Sequence, residues 1–244
     1  AIAPPGVAWL ALAVIVAGLV RGFAGFGSAM IIMPVAASVL SPVEAILFMT
    51  AAELIGPLPN LPDALREGAP REVGRLLLGV LIGMPLGLWG LSLMSPEGFG
   101  WIVSGVVLGL LALLLAGWRY HGPLSAKLVT ATGALGGFMT GFAGIAGPPV
   151  ILLYMASRRP AAVIRANFLL YLLGLDLMLF AMLAATGQGV WPVLMLGLLA
   201  GVPNVIANII GARLFDPDRE RLFRAVAYIV IAASAILGLP LWNT

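Results

Sequence analysis

The chain has 244 residues, of which 61% are hydrophobic and only 9% charged, against roughly 25% charged in a typical soluble domain. So few charges cannot cover a water-facing surface, which excludes a soluble enzyme, a disordered chain and a nucleic-acid-binding domain. The apolar runs are long and continuous rather than alternating, so the fold class is an all-α polytopic membrane protein rather than a barrel.

The net charge of +3 comes from twelve arginines and Lys127 against ten acids. These cations lie mainly in short loops, as cytoplasmic loops require, and do not point to nucleic acid. There is no cysteine, so no disulfide, thiolate metal site or cysteine nucleophile exists. No metal site and no cofactor are expected. The opening stretch Ala1 to Val20 is apolar without a basic n-region, and is read as part of the first segment rather than as a signal peptide.

In chain order, the first segment, 7–40, is broken by Arg21-Gly22-Phe23-Ala24-Gly25-Phe26-Gly27-Ser28. Spans follow at 43–61, 73–94 and 101–118. The segment 127–157 is broken by Gly141-Phe142-Ala143-Gly144-Ile145-Ala146-Gly147-Pro148-Pro149, and spans follow at 162–186, 190–214 and 222–241. Each broken segment has about 30 residues, too many for one crossing and too few for two. Each is therefore expected to be a re-entrant or broken-helix hairpin of two short helices meeting at an irregular tip.

Loop charge sets the threading. Arg66, Arg71 and Arg75; Arg119 and Lys127; Arg158, Arg159 and Arg165; and Arg213, Arg219, Arg221 and Arg224 form four basic clusters read as cytoplasmic. The stretches 1–6, 95–100, 187–189 and 242–244 and the Ser41-Pro42 turn carry no Lys or Arg. They are read as outside, which places both termini outside. Segment 127–157 then starts and ends inside, and 7–40 starts and ends outside. Each half is one hairpin plus three crossings, so residues 7–118 and 127–241 form two inverted repeats. Gly22-Phe23-Ala24-Gly25-Phe26 matches Gly141-Phe142-Ala143-Gly144-Ile145, Gly18 matches Gly137, and Gly83-Met84-Pro85 matches Gly201-Val202-Pro203. Glycine-rich interruptions at corresponding places in inverted halves point to a transporter site. The structural alternative is that the glycines only let helices pack closely.

A second short helix is expected after each break, with Ser28 as the N-cap of the first and Pro148 and Pro149 in the opening turn of the second. Free N–H groups at such starts favour an anion, and glycines let the backbone approach it. The expected substrate-binding set is Arg21, Gly22, Gly25, Gly27, Ser28, Thr140, Gly141, Gly144, Ala146, Gly147 and Asn167. Arg21 is either a substrate-attracting charge, a partner of Glu53 or Asp176, or a side chain snorkelling to a nearby surface. The hydroxyl of Thr140 either donates to substrate or bonds back to its own helix. Glu53 and Asp176 lie inside spans, where carboxylates mark proton routes, and are the coupling candidates. Glu44 in Ser41-Pro42-Val43-Glu44 reads as a capping box. Asn204 and Asn208, four apart on one helix face, either line the site or glue helices together. His121 reads as a solvated loop residue. Trp9, Trp101, Trp118, Trp191 and Trp242 sit near span ends, as an interfacial belt does.

The paired glycine motifs and the stretch Arg165-Ala166-Asn167-Phe168-Leu169-Leu170-Tyr171 resemble the sulfite exporter TauE/SafE family, also called the toluene-sulfonate uptake permease family, over nearly the whole chain. The resemblance implies transport of a small sulfur oxyanion (sulfite, sulfoacetate or another organosulfonate) across the inner membrane, driven by an ion gradient. The expectation is thus a proton-coupled secondary transporter working by alternating access, with a homodimer as one assembly open to it. An uncoupled anion channel on the same hairpins is the alternative. An intramembrane enzyme is not expected, because no His-Glu-x-x-His, Ser–His pair or aspartate pair lies in the spans.

Overall fold

A computed structural model describes residues 4–117, 124–155, 159–187, 190–216, 218 and 220–242. Trp118, Arg119, His121, Arg158 and Arg219, all used in the sequence reading, lie outside the described residues. Among the described residues there are eleven α-helices and no strand. The helices are α1 Pro4–Ala24, α2 Ser28–Val39, α3 Pro42–Leu54, α4 Leu61–Glu67, α5 Pro70–Ser92, α6 Pro96–Leu115, α7 Ala126–Ala143, α8 Gly147–Met155, α9 Ala161–Ala185, α10 Trp191–Leu214 and α11 Glu220–Leu237. Five of these are long and apolar enough to cross a membrane, or up to six if the bent pair α3 and α4 counts as one span.

The helix starts follow local chemistry. Ser41 and Glu44 form the expected capping box: the Ser41 N–H and hydroxyl both donate to Glu44 Oε2, at 3.0 and 2.7 Å. Ser125 caps α7 by accepting the Leu128 N–H. Prolines open α3, α5 and α10, where a missing N–H costs nothing.

One expectation is corrected here. The span 43–61 is not one helix: α3 ends at Leu54, a 3-10 turn covers Leu58–Asn60, and α4 takes up part of what reads as a basic loop. Pro57, Pro59 and Pro62 remove the N–H groups that a continuous helix would use. Glu53 consequently sits in the last turn of α3, at the break of the bent pair. The last helix ends at Leu237, close to the expected end of the span 222–241, and a 3-10 turn follows at Pro240–Trp242.

The helices fall into two compact units, and these do not follow the order of the chain. One gathers α1, α2, α3, α6, α10 and α11; the other gathers α4, α5, α7, α8 and α9. In the first unit α1 packs on α10 through glycine. A Cβ on Gly22 would run into the Asn208 carbonyl oxygen, Gly211 and the Ala212 nitrogen, and one on Gly18 would run into Asn204. In the second unit α7 packs on α5 in the same register. A Cβ on Gly141 would meet the Met84 carbonyl oxygen, Gly87 and the Leu88 nitrogen, and one on Gly137 would meet Val80. The two seams thus make Gly87 the counterpart of Gly211. This is a different alignment from the one that pairs Gly83-Met84-Pro85 with Gly201-Val202-Pro203. In both seams the helices run in the same direction.

Small residues facing inward leave the large ones outside. On α5 the glycines 79, 83, 87 and 90 approach α7 closely, while Leu78, Leu81, Ile82, Leu86 and Trp89 are exposed. On α10, Leu199, Val202, Ile206, Ile209 and Ile210 are exposed in the same way. Apolar side chains pointing outward over whole helices fit lipid rather than water as the surrounding solvent.

The hairpins also differ from the expected pair of short helices. The helix before each break is long, 21 residues in α1 and 18 in α7, and the helix after it is short, 12 in α2 and 9 in α8. At about 1.5 Å per residue, α1 reaches about 31 Å, enough to cross a bilayer core. Gly22 lies against the last two turns of α10, and Gly90 near the end of α5 lies against Phe142. Each long helix therefore runs out nearly to the end of its partner before the chain turns back. The short helices begin further back. The Ala146 carbonyl oxygen, just before α8, lies 3.4 Å from the position of a Gly136 Cβ, two turns before the end of α7. Gly27, just before α2, faces Ile231 in the middle of α11.

Candidate functional site

The first elbow is built by glycine. Gly25 (φ 78°) and Gly27 (φ 95°) both adopt the left-handed conformation that other residues avoid. The Gly25 N–H donates to the Arg21 carbonyl at 2.7 Å and closes α1. Gly27, not Ser28, is the N-cap of α2: its carbonyl accepts the Ile31 N–H at 3.2 Å, and no side chain caps the helix. Ser28 is instead the first helical residue and is buried. This corrects the expected cap. A left-handed residue can precede the helix here only because it is glycine. The N–H groups of Ser28, Ala29 and Met30 lie ahead of the helical hydrogen-bond ladder and have no acceptor in it. Gly25 is exposed, and nothing lies within 4 Å of the place its Cβ would take. Aromatic rings hold the elbow from one side: Phe23 lies 5.2 Å from Phe223, and Phe26 lies 6.2 Å from Tyr228, between ring centroids.

One turn before this elbow, Arg21 pairs with Glu53 at 3.0 Å through Oε2. The pair is mostly buried, with side-chain exposures of 23% and 13%. The other carboxylate oxygen, Oε1, is fully buried and has no hydrogen-bond partner. Of the alternatives open for Arg21, the structure thus makes it the partner of Glu53. Gly22, expected at the substrate, is a seam residue against α10. Asn204 takes the glue alternative: it is buried and its amide donates to the Val14 carbonyl of α1 at 3.4 Å.

The second elbow is closed differently. Gly144 (φ 70°) ends α7, its N–H donating to the Thr140 carbonyl at 2.8 Å while the Ile145 N–H reaches Met139. Thr140 is buried and its hydroxyl donates back to the Gly136 carbonyl at 2.7 Å, which is the back-bonding alternative. Pro148 and Pro149 occupy the first turn of α8, as expected. Proline has no N–H, so this turn offers fewer donors than the start of α2. The ring of Phe168 lies over Gly147, 3.3 Å from the position of a Cβ. Gly141 belongs to the α5 seam. The hydroxyl of Tyr171, a fully buried residue of α9, reaches the Ala146 carbonyl at 3.4 Å. It occupies the space that a side chain on Gly136 would take. Asp176 lies one and a half turns further along α9, partly buried.

Asn167 is fully buried and spends its hydrogen-bonding capacity inside the protein. Its carbonyl oxygen accepts the Ala69 N–H at 2.7 Å, just before α5. Its amide donates to Glu72 Oε2 and to the Tyr154 hydroxyl, each at 3.0 Å. Glu72 is itself buried and paired with Arg159. Asn167 therefore ties α5, α8 and α9 together, and the structure does not bring it to either elbow.

A family model for the sulfite exporter TauE/SafE matches residues 10–237. The chain belongs to the TauE/SafE family. The match runs from the second turn of α1 to the end of α11 and takes in both elbows. The chain is also 27% identical over 232 residues to the probable sulfite/organosulfonate exporter TauE of Cupriavidus necator, covering 88% of this chain and 87% of that protein. No solved structure matches it.

In this TauE/SafE chain, sequence reasoning passed over Tyr171, Glu72, Tyr154 and Arg159. Tyr171 closes the Arg165–Tyr171 stretch on which the resemblance rests, and Glu72 looks like an acid placed for a helix N-terminus. Arg159 counted only as a topology signal. The Tyr171 contact makes a prediction. Gly136→Ala is expected to destabilise the folded protein by about 1–3 kcal/mol, because its methyl meets a hydroxyl that cannot swing away. Adding Tyr171→Phe should recover most of the loss. Melting temperatures of the purified single and double variants in detergent check this; equal melting of the two would remove Tyr171 as the cause.

Proposed function

We propose that this protein is a secondary active transporter that moves a small sulfur oxyanion, sulfite or an organosulfonate, across the cytoplasmic membrane by alternating access. The observation that carries the reading is the pair of short helices α2 and α8. Each begins after a left-handed glycine elbow, and each starts well back from the end of the long helix before it. Such starts offer backbone N–H groups and a positive dipole end to an anion without placing a full charge in lipid. Gly25, Gly27, Ser28, Gly144, Ala146 and Gly147 are the proposed anion-contacting backbone, with the α2 elbow the richer in donors. Membership in a family described as sulfite exporters, and likeness to a probable sulfite/organosulfonate exporter, support the substrate class.

The chain is read as two repeats of opposite orientation, 7–118 and 127–241, with one repeat moving against the other to alternate access. The common register of the α1–α10 and α5–α7 seams supports this reading, since each seam joins a hairpin of one half to a span of the other. Glu53 is the stronger coupling candidate, because one of its oxygens is buried without a partner.

Purified protein in proteoliposomes tests the function. Saturable uptake of sulfite, sulfoacetate or methanesulfonate is expected, accelerated by unlabelled anion on the far side and by a proton gradient. Absence of flux for all three anions, with or without a gradient, would count decisively against it. Conductance far above carrier rates would favour the channel.

A further inference from the structure

We infer that Glu53 is an internal substitute for the transported anion on Arg21, and that anion binding at the first elbow takes up one proton. The inference rests on the reading of the α2 elbow as an anion site and adds how that site is charged and discharged.

Arg21 lies in the last turn of α1, one turn before the elbow, and its guanidinium holds Glu53 Oε2 at 3.0 Å. A guanidinium presents a flat fork of donors that fits any two-oxygen face, so a carboxylate and a sulfite or sulfonate compete for it on similar terms. The pair is not closed on both sides, for Glu53 Oε1 is buried with no partner. An anion that takes Arg21 leaves the carboxylate with neither oxygen bonded in a largely buried place. An ionised carboxylate is costly to keep there. Binding one proton from water as the Arg21–Glu53 bond breaks removes that cost.

The two states balance. Empty, the site holds the Arg21 cation and the Glu53 anion; loaded, it holds the Arg21 cation, the substrate anion and neutral Glu53. A monovalent anion then crosses with one proton and moves no net charge. Other titratable groups on the packed elements are few. α2 has none, and α10 has only Arg213, exposed in its last turn. Besides Glu53, α3 has Glu44, held by the Ser41 cap. α11, packed on α1 and α2, carries Glu220, Arg221, Arg224 and Tyr228, and the Tyr228 ring lies against Phe26.

The test uses the chain's lack of cysteine. In Ala24→Cys protein, whose new thiol lies beside the exposed Gly25 at the elbow, protection from a maleimide by methanesulfonate is measured as a ratio of rates from acid to mildly alkaline pH. Methanesulfonate stays a monoanion throughout, so a proton taken up on binding belongs to the protein. Its apparent affinity should fall as the pH rises, by at most about tenfold per unit for one proton. Adding Glu53→Gln should flatten the profile, and adding Glu53→Asp should keep it. Protection that ignores pH with Glu53 present, or a slope that survives Glu53→Gln, overturns the proton linkage alone. No protection by methanesulfonate at any pH overturns the elbow site and the linkage with it. If Glu53→Gln does not fold, vesicles of the unmutated protein decide. Methanesulfonate uptake driven by a pH gradient and indifferent to a clamped potential is expected; uptake driven by potential alone overturns the linkage.

Discussion

Gly22→Ala and Gly141→Ala should each lower stability by about 1–3 kcal/mol or more, whereas Gly105→Ala should cost nothing. At Gly22 the added methyl meets the Asn208 carbonyl oxygen and the Ala212 backbone nitrogen; at Gly141 it meets the Met84 carbonyl oxygen at 2.6 Å and the Leu88 nitrogen at 2.8 Å. These are backbone atoms of a neighbouring helix, so relief requires α1 to move off α10, or α7 off α5. Gly105, in α6, has open space at its Cβ position. There the substitution removes only glycine's unfavourable helix propensity, a gain of about 1 kcal/mol. Thermal unfolding of the three purified variants, followed by loss of the monodisperse peak, separates the outcomes. Equal melting of all three would mean that the seams do not hold each unit together. Gly25→Ala probes a different property. It has room but sits at φ 78°, so its cost is backbone strain, about 1–2 kcal/mol, located at the elbow.

The same glycines show how far the sequence could be read. Gly22-Phe23-Ala24-Gly25 and Gly141-Phe142-Ala143-Gly144 each look like one motif, but each does two jobs. The first glycine of each is the close approach of two helices; the second is the left-handed elbow. Letters alone cannot separate them, because an absent side chain satisfies both needs, and only a φ angle or a neighbouring carbonyl tells which applies. The spans were more legible. In lipid a helix is apolar on every face, and length with loop charge then locates it to within a few residues. That logic failed at 43–61, where apolar residues run on through Pro57 and Pro59 after the helix has stopped. It also failed for the second repeat match, where Pro85 and Pro203 are both tolerated inside helices but do not occupy equivalent places in the seams. The Arg21–Glu53 pair was legible as an alternative, since a charge in a span needs a partner. The Asn167 network was not: its members are scattered between Ala69 and Asn167, and each has an ordinary reading of its own.

Asn167→Asp is expected to be among the most damaging single changes in the chain, and Glu72→Gln should rescue it. Asn167 now gives both amide hydrogens to buried oxygens, those of Glu72 and Tyr154, and accepts the Ala69 N–H. An aspartate keeps the acceptor and loses both donors. It also sets a second buried carboxylate beside Glu72, whose cation partner among the described residues, Arg159, is half exposed. One buried group left unsatisfied costs about 1–3 kcal/mol, and a charge more. Asn167→Ala removes the donors without adding charge and should lie between the wild-type chain and Asn167→Asp. In the double variant Asn167→Asp with Glu72→Gln the carboxylate and the amide exchange places. The new amide on α5 can donate to the new carboxylate on α9, Tyr154 can donate to that carboxylate as well, and the total charge beside Arg159 returns to its original value. Folded yield and melting temperature should therefore rise from the single to the double variant. A double variant no better than Asn167→Asp alone would show that the network does not join α5, α8 and α9 through charge and hydrogen bonding.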